Sequence, residues 1–347
     1  MRRYLLYSDV HFCSNSSIVR RRGEKYSARL HNLIDSISWA EHLAESEKCD
    51  EVVCLGDMLD RSDMTAEEIT ALQDVYFSKL PHTFITGNHE ANTSSLEYST
   101  AQVFKSIGAK VVTDVEVRDI TSGVDLYFIP YFINDTIKPF KEYMVDNGKK
   151  HIVLSHNDLA GIQYGKFLSS SGFDVNEVLD NCTLFINGHL HNSSVIKDRI
   201  FLVGNLTGLN FNENARKYMH YAFILTINDD DSVDLDPYVN PFAYNFYKLY
   251  INSESDIAQL DSLLNNSILS VSCNNSLVEQ VKEKLNSMEN IVEYKIIATF
   301  NSGESVEEID FKVEDHLKQF IEYVQTKIDP SDILTEELTM LGAGSGT

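Results

Sequence analysis

The sequence predicts an α/β protein, and three observations predict it. Five short apolar runs in the first 190 residues each end in a polar segment built from Asp, His, Asn and Gly. Stretches with a 3.6-residue apolar period lie between some of these runs. At 347 residues with 43% apolar and 10% aromatic content, the chain is about twice one typical domain and can bury a sizeable core. Alternating strands and helices stack as α/β layers, and in such folds ligands collect beyond the carboxyl ends of the strands. Every polar segment falls at that end.

The strands come first. Tyr4–Tyr7 leads into Ser8-Asp9-Val10-His11, and Val52–Leu55 into Gly56-Asp57-Met58-Leu59-Asp60. Phe84–Ile85 leads into Gly87-Asn88-His89-Glu90, Ile152–Leu154 into Ser155-His156, and Leu184–Ile186 into Gly188-His189-Leu190-His191. Short β-branched and aromatic runs of this kind read as buried strands. Leu30, Leu33, Ile34, Ile37 and Ala40 share one face of a helix. Thr65 with Glu68 forms a capping box for a second helix, expected over Thr65–Lys79, with Ile69, Leu72 and Tyr76 on one face.

Beyond residue 200 the pattern becomes strands joined by turns: Phe201–Val203, Tyr221–Thr226 and Val233–Leu235. Pro237 and Pro241 place a domain boundary near 240. Residues 241–329 then read as a small α+β domain. Its strands are Ile268–Ser272 and Val292–Phe300. Ser276 and Glu279 cap a helix carrying Leu277, Val281 and Leu285, and Leu317 to Ile328 mark a closing helix. Residues 330–347 are a tail: Ile333, Leu334, Leu338 and Leu341 could dock on a partner, and the Gly-Ser-rich end is flexible by composition.

Acidic residues outnumber basic ones by 52 to 29, a net charge of −23. That balance disfavours nucleic-acid binding by bulk charge, and the segment from 251 onward is the more acidic, with 18 acidic against 6 basic residues. One cluster runs against it. Arg20, Arg21, Arg22, Lys25 and Arg29 follow the first metal-type motif, where they serve either as phosphate-backbone contacts or as a solvated helix start. No apolar run approaches the ~20 residues of a membrane span, and no leader is visible. Five cysteines, odd in number and without a Cys-x-x-Cys pair, read as free thiols in a reducing compartment. A cytoplasmic setting is expected.

Five of the eleven histidines fall in the five motifs. Carboxylates, imidazoles and one amide oxygen make a hard-to-borderline ligand set suited to Mn²⁺, Fe²⁺ or Zn²⁺. Two such cations about 3.5–4 Å apart can share a hydroxide and clamp a phosphoryl group for in-line attack. Of these residues a carboxylate is the natural bridge, and Asp57 is central in the series.

The ordered set Asp9-x-His11, Gly56-Asp57-x-x-Asp60, Gly87-Asn88-His89-Glu90, His156 and Gly188-His189-x-His191 resembles the calcineurin-like metallophosphoesterase superfamily. The resemblance implies two facing sheets flanked by helices. It implies one cation on Asp9, His11, Asp57 and His191, and a second on Asp57, Asn88, His156 and His189. It gives His89 the role of protonating the leaving oxygen, oriented by Asp60, with Glu90 behind them. A phosphoesterase domain followed by a small α/β module is similar to the SbcD-type DNA-repair nuclease subunits, especially short bacteriophage versions. That likeness implies a homodimeric exo- and endonuclease, with Mn²⁺ as first choice (Mg²⁺, Fe²⁺ or Zn²⁺ as alternatives), acting on DNA with an SbcC-type coiled-coil ATPase. The chain has no Gly-x-x-x-x-Gly-Lys-Ser/Thr sequence, so ATP chemistry would come from that partner. The rival is a phosphatase of the same superfamily acting on phosphoproteins or small molecules, since Gly56–Arg61 resembles its motif. Ser62 and Thr86 depart from that pattern, which leaves Arg61 as the expected phosphate contact.

Overall fold

The computed structural model describes residues 1–14, 16, 19, 25–91, 95–133, 137–164, 167–213 and 215–299. Two six-stranded mixed sheets face each other. The first runs in the spatial order Val233–Val239, Tyr221–Ile227, Arg2–Tyr7, Glu51–Cys54, His82–Ile85, Lys110–Val112, and the second Ser194–Ile196, Ile200–Leu202, Leu184–Asn187, Lys150–Ser155, Val124–Ile129, Glu116–Thr121. The central strands of both are parallel; antiparallel strands close both edges of the second sheet and one edge of the first, whose other edge, Lys110–Val112, is parallel. This is the expected sandwich.

The alternation along each strand explains the layers. Tyr4, Leu6, Val53 and Ile85 meet Leu126, Phe128, Ile152, Leu154 and Ile186 between the sheets. Leu5, Tyr7, Val52, Cys54 and Phe84 point the other way, under the helix Ala28–Ser46 with its Leu30, Leu33, Ile37 and Ala40. Tyr127, Val153 and Phe185 turn outward beneath the helix Val175–Asn181. Strands buried on both faces read as continuous apolar runs, which is why they stand out in the sequence.

The capping box at Thr65 and Glu68 is present, but the helix it starts ends at Leu72 rather than continuing to Lys79. Beyond it Ser78 turns inward, and its N–H and hydroxyl both donate to buried Glu41.

A third sheet, parallel in its Asn245–Ile251 and Ser267–Asn274 pair and completed by Ile291–Thr299, packs on the helix Val278–Asn286 around its own core of Leu249, Val271, Val281 and Leu285. Asn245–Ile251 had no strand prediction. Asn274, not Ser276, caps the short turn before the helix, accepting from the Ser276 N–H. The expected closing helix near 317–328 and the tail 330–347 lie outside the described residues.

Helix Ala28–Ser46 also ties the loop 204–213 in place. Arg29 Nη1 donates to the Gly208 carbonyl at 2.8 Å, and Asn32 accepts from Thr207 Oγ1 at 2.8 Å. Tyr244, at the entry to the third sheet, donates its N–H to Thr207 Oγ1 at 2.9 Å. All five cysteines are buried, and none forms a disulfide. No helix among the described residues is long and apolar enough to cross a membrane.

Candidate metal centre

The five motifs leave their strands side by side at one end of both sheets. Asp9 N–H donates to the Gly56 carbonyl at 3.1 Å and His11 N–H to the Asp57 carbonyl at 2.9 Å, so the first two loops stay in register beyond the strands. Asp9, His11, Asp57 and His189 all have positive φ, between 49° and 70°. For non-glycine residues that backbone costs about 1–2 kcal/mol each, and such strain concentrates where function demands it. Gly87 is required for a different reason: a Cβ there would lie 2.1 Å from Asp57 Oδ1.

Three overlapping groups of donor atoms result. Asp9, His11 and His191 form one, His11, Asp57 and His89 the next, and Asp57, His156 and His189 the third, each with its donor atoms within 4.8 Å of one another. Asp57 Oδ2 is 3.1 Å from His156 Nε2, 3.8 Å from His11 Nε2 and 4.0 Å from His89 Nε2. Asn88 Oδ1 completes the third group, 3.2 Å from His156 Nε2 and 3.0 Å from His189 Nδ1.

The hydrogen bonds behind the rings fix which nitrogen faces inward. His156 Nδ1 donates to the Leu55 carbonyl at 2.7 Å, leaving the Nε2 lone pair for the centre. His189 Nε2 is 3.0 Å from Asp158 Oδ1, leaving Nδ1 inward. His11 Nδ1 faces Asp60 Oδ1 at 3.3 Å, and His191 Nδ1 faces Glu213 Oε1 at 3.2 Å. Each of those two rings then aims Nε2 at the other, 3.1 Å apart. Two imidazole lone pairs at that distance repel unless a proton or a cation lies between them. Beside them Asp9 Oδ1 is buried without a hydrogen-bond partner. An orphaned carboxylate oxygen next to two opposed imidazoles is a donor set that fits a divalent cation. The Asp57, Asn88, His156 and His189 group fits a second in the same way.

The electrostatics agree. Burial pushes the Asp57 carboxyl up, but His156, His11 and His89 outweigh it and hold Asp57 below the usual carboxylate range. Burial pushes His156 down, yet the Asp57 carboxylate raises it to about 9. Cation binding there must therefore displace a proton. Glu90 is buried behind the centre, accepting from Leu59 N–H at 3.0 Å and Gly87 N–H at 2.8 Å. Burial and the Asp57 charge lift it to about 7.

His89 is the open side of the cluster, its side chain 40% exposed. Its Nδ1 donates to the main-chain carbonyl of Asp60 at 2.6 Å. The Asp60 carboxylate, expected to orient His89, faces His11 instead. Asp60 thus reaches one ring through its backbone and the other through its side chain. Its own carboxyl is lowered, first by the hydrogen bond from His11.

Two expected substrate contacts differ or fall outside. Arg61 turns its Nη2 to Glu68 Oε2 at 2.5 Å, and its remaining nitrogens face Asp63 and Asp60. The Glu68 that receives it is the capping-box residue, so the helix cap and the guanidinium share one carboxylate. Arg20, Arg21 and Arg22 lie outside the described residues. The sequence reading missed Asp158 and Glu213, which hold the outer nitrogens of His189 and His191. Asp158 was within reach, two residues after His156. Glu213 comes from a loop with no motif, and only the fold brings it there. His220 is buried and bonds Asn205.

Comparison with curated proteins finds no match. Among solved structures, a dimetal phosphatase from Danio rerio is similar with a TM-score of 0.41 at 12% identity, covering 68% of this chain and 95% of its own. An archaeal phosphodiesterase follows at 0.33 and 12%, covering 68% and 99%. Vps29 from Chaetomium thermophilum gives 0.27 and 10%, covering 69% and 97%. These likenesses are too distant to speak to substrate. Residues 2–193 match the model of the calcineurin-like phosphoesterases. That span runs from the first strand to just past His191 and takes in all five strand-end motifs, so the chain belongs to the calcineurin-like phosphoesterase family.

Proposed function

We propose that the chain is a two-metal phosphodiesterase whose substrate is DNA, an exo- or endonuclease subunit acting in repair or recombination with an SbcC-type ATPase, as a homodimer. In this reading Asp9, His11, Asp57 and His191 hold one cation and Asp57, Asn88, His156 and His189 the other, with Mn²⁺ the first choice. Residues 241–329 serve as its capping domain and 330–347 as the tail that meets the partner.

The observation that carries the diester reading is the Arg61–Glu68 pair at 2.5 Å. A phosphomonoester is a dianion and needs a cationic clamp. The one arginine inside the motifs is engaged elsewhere, and Thr86 donates its hydroxyl to the Val112 carbonyl at 2.9 Å. A diester carries one charge fewer and asks less of that position.

Bound divalent cations supply Lewis-acid charge to the phosphoryl oxygens and a nucleophile at neutral pH. The chain's own residues do the rest. The Asp60 carbonyl holds the proton on His89 Nδ1, which turns Nε2 toward the cluster. A protonated His89 can pass its Nε2 proton to the departing oxygen. The Asp60 and Glu213 carboxylates face Nδ1 of His11 and His191, which orients both rings so that Nε2 is the nitrogen turned to the cluster.

The test is the ratio of kcat/KM for bis(p-nitrophenyl) phosphate to that for p-nitrophenyl phosphate with Mn²⁺. A ratio well above one supports the diesterase. Preference for the monoester moves the chain to the phosphatase reading.

A further inference from the structure

A cleft of about 890 Å³ is lined by residues that closely follow His191 and Glu213 in the chain, and by none of the metal-binding residues. Ser193, two residues past His191, forms one wall, and the segment after Glu213 forms the next. Exposed Arg216 and Lys217 stand together there, with Met219 and Tyr221 beside them. Tyr247 and Gln259 of the third-sheet region close the far side. Gln259 Oε1 accepts from Arg216 Nη2 at 2.8 Å, which holds the guanidinium at the cleft.

Among the described residues, no carboxylate lines this cleft. In a chain with 52 acidic and 29 basic residues that is a departure from the rest of the surface. Adjacent cations select an anion, and a half-buried tyrosine ring with a thioether offers a flat apolar platform. Phosphate on Arg216 and Lys217 with a base against Tyr221 is the pairing of charge and stacking by which single strands are held.

We propose that this cleft binds a nucleotide unit of the substrate strand flanking the scissile phosphodiester. The proposal deepens the nuclease reading and rests on it for the direction of the strand. His189 and His191 of the metal centre are followed by the cleft's Ser193, and Glu213 behind His191 by its Ala215, Arg216 and Lys217, which is the link by which a strand held at the centre would continue into the cleft.

The test uses the full chain, with anisotropy of a short fluorescein-labelled thymidylate oligonucleotide in Ca²⁺ across a salt series. The Arg216→Gln/Lys217→Gln variant should bind about tenfold more weakly. Its log–log salt slope should be shallower by about 1.4, some 0.7 for each phosphate left without its cation. Its hydrolysis of bis(p-nitrophenyl) phosphate in Mn²⁺ should match the wild type, which shows that the fold and the metal centre are intact. Tyr221→Leu should reduce the quenching of a 2-aminopurine base in the same oligonucleotide and leave the salt slope unchanged. Equal affinity and slope in the charge variant overturn the proposal, and so does a wild type that does not bind the oligonucleotide. Binding that the variant weakens, without cleavage of any oligonucleotide by the wild type, upholds the cleft and removes the nuclease reading.

Discussion

Glu213 Oε1 lies 3.2 Å from Nδ1 of His191, and the other oxygen of that carboxylate accepts from Asn205 Nδ2 at 2.9 Å and Leu209 N–H at 2.7 Å. Burial pushes the Glu213 carboxyl up, but the His191 hydrogen bond and these donors hold it below its ordinary range. The carboxylate therefore stays charged and fixes the His191 ring from behind. Arg29 and Thr207 hold the loop that carries it, so helix Ala28–Ser46 helps place a ligand atom that it does not touch.

Replacing Glu213 should weaken one cation site selectively. Partners of this kind contribute about 10–100-fold in metal affinity. Calorimetric titration of Glu213→Ala with Mn²⁺ should show one of two sites weakened by that factor and the other unchanged. Two unchanged sites would make Glu213 a structural residue only.

His89→Ala should lower kcat by about 10²–10⁴-fold with Mn²⁺ stoichiometry retained. The loss should be larger for a diester with an alkoxide leaving group than for one releasing p-nitrophenolate, because a poorer leaving group depends more on its proton. Equal losses on both substrates would remove the acid role and leave His89 a phosphate contact.

Two glycines separate space from backbone strain. Gly87→Ala sets a Cβ 2.1 Å from Asp57 Oδ1 and 2.5 Å from its amide nitrogen, so Asp57 must move and metal binding should be lost. Gly108 has φ +80° and nothing within 4 Å of a built Cβ. Gly108→Ala should lower stability by about 1–2 kcal/mol and leave activity unchanged. Urea midpoints and diesterase rates for the pair would check both statements.

Glu68 should give the protein an acid-sensitive component. It is 1% exposed. Burial pushes its carboxyl up, but the Ser14 and Thr65 N–H groups, Arg61 and the Ser14 hydroxyl outweigh that and bring it from 4.5 to about 2. A folded value below the unfolded one stabilises fully above pH 4.5, and the stabilisation fades as pH falls toward 2. The shift corresponds to roughly 3 kcal/mol at neutral pH. Glu68→Gln should lower the urea midpoint at pH 7, with the gap to the wild type closing toward pH 2. A gap independent of pH would contradict the linkage.

The motif-bearing strands were legible because they are buried on both faces and the residues at their ends have few other reasons to be Asp, Asn and His together; Val124–Ile129, equally buried but ending in no such motif, was not read as a strand. Leu5-Leu6 and Val52-Val53 announce strands, and Asp9 and Asp57 interrupt them at the same point. The edges were less legible. Glu116–Thr121 alternates half-buried and exposed residues with charges, and Asn245–Ile251 carries Lys248 and two tyrosines, so neither reads as an apolar run. The partners of the ligands were least legible. Glu213 lies 22 residues from His191, and Arg61 and Glu68 were separately visible, as a phosphate contact and a helix cap, without sign that they would pair. Such contacts depend on where loops close, which periodicity does not encode.

The most direct measurement is cleavage of an end-labelled DNA duplex by the purified chain with Mn²⁺, beside His89→Ala and a sample held in chelator. A two-metal nuclease with its acid at His89 predicts cleavage by the wild type that disappears in both controls. Intact hydrolysis of a phosphomonoester with no cleavage of DNA would contradict it.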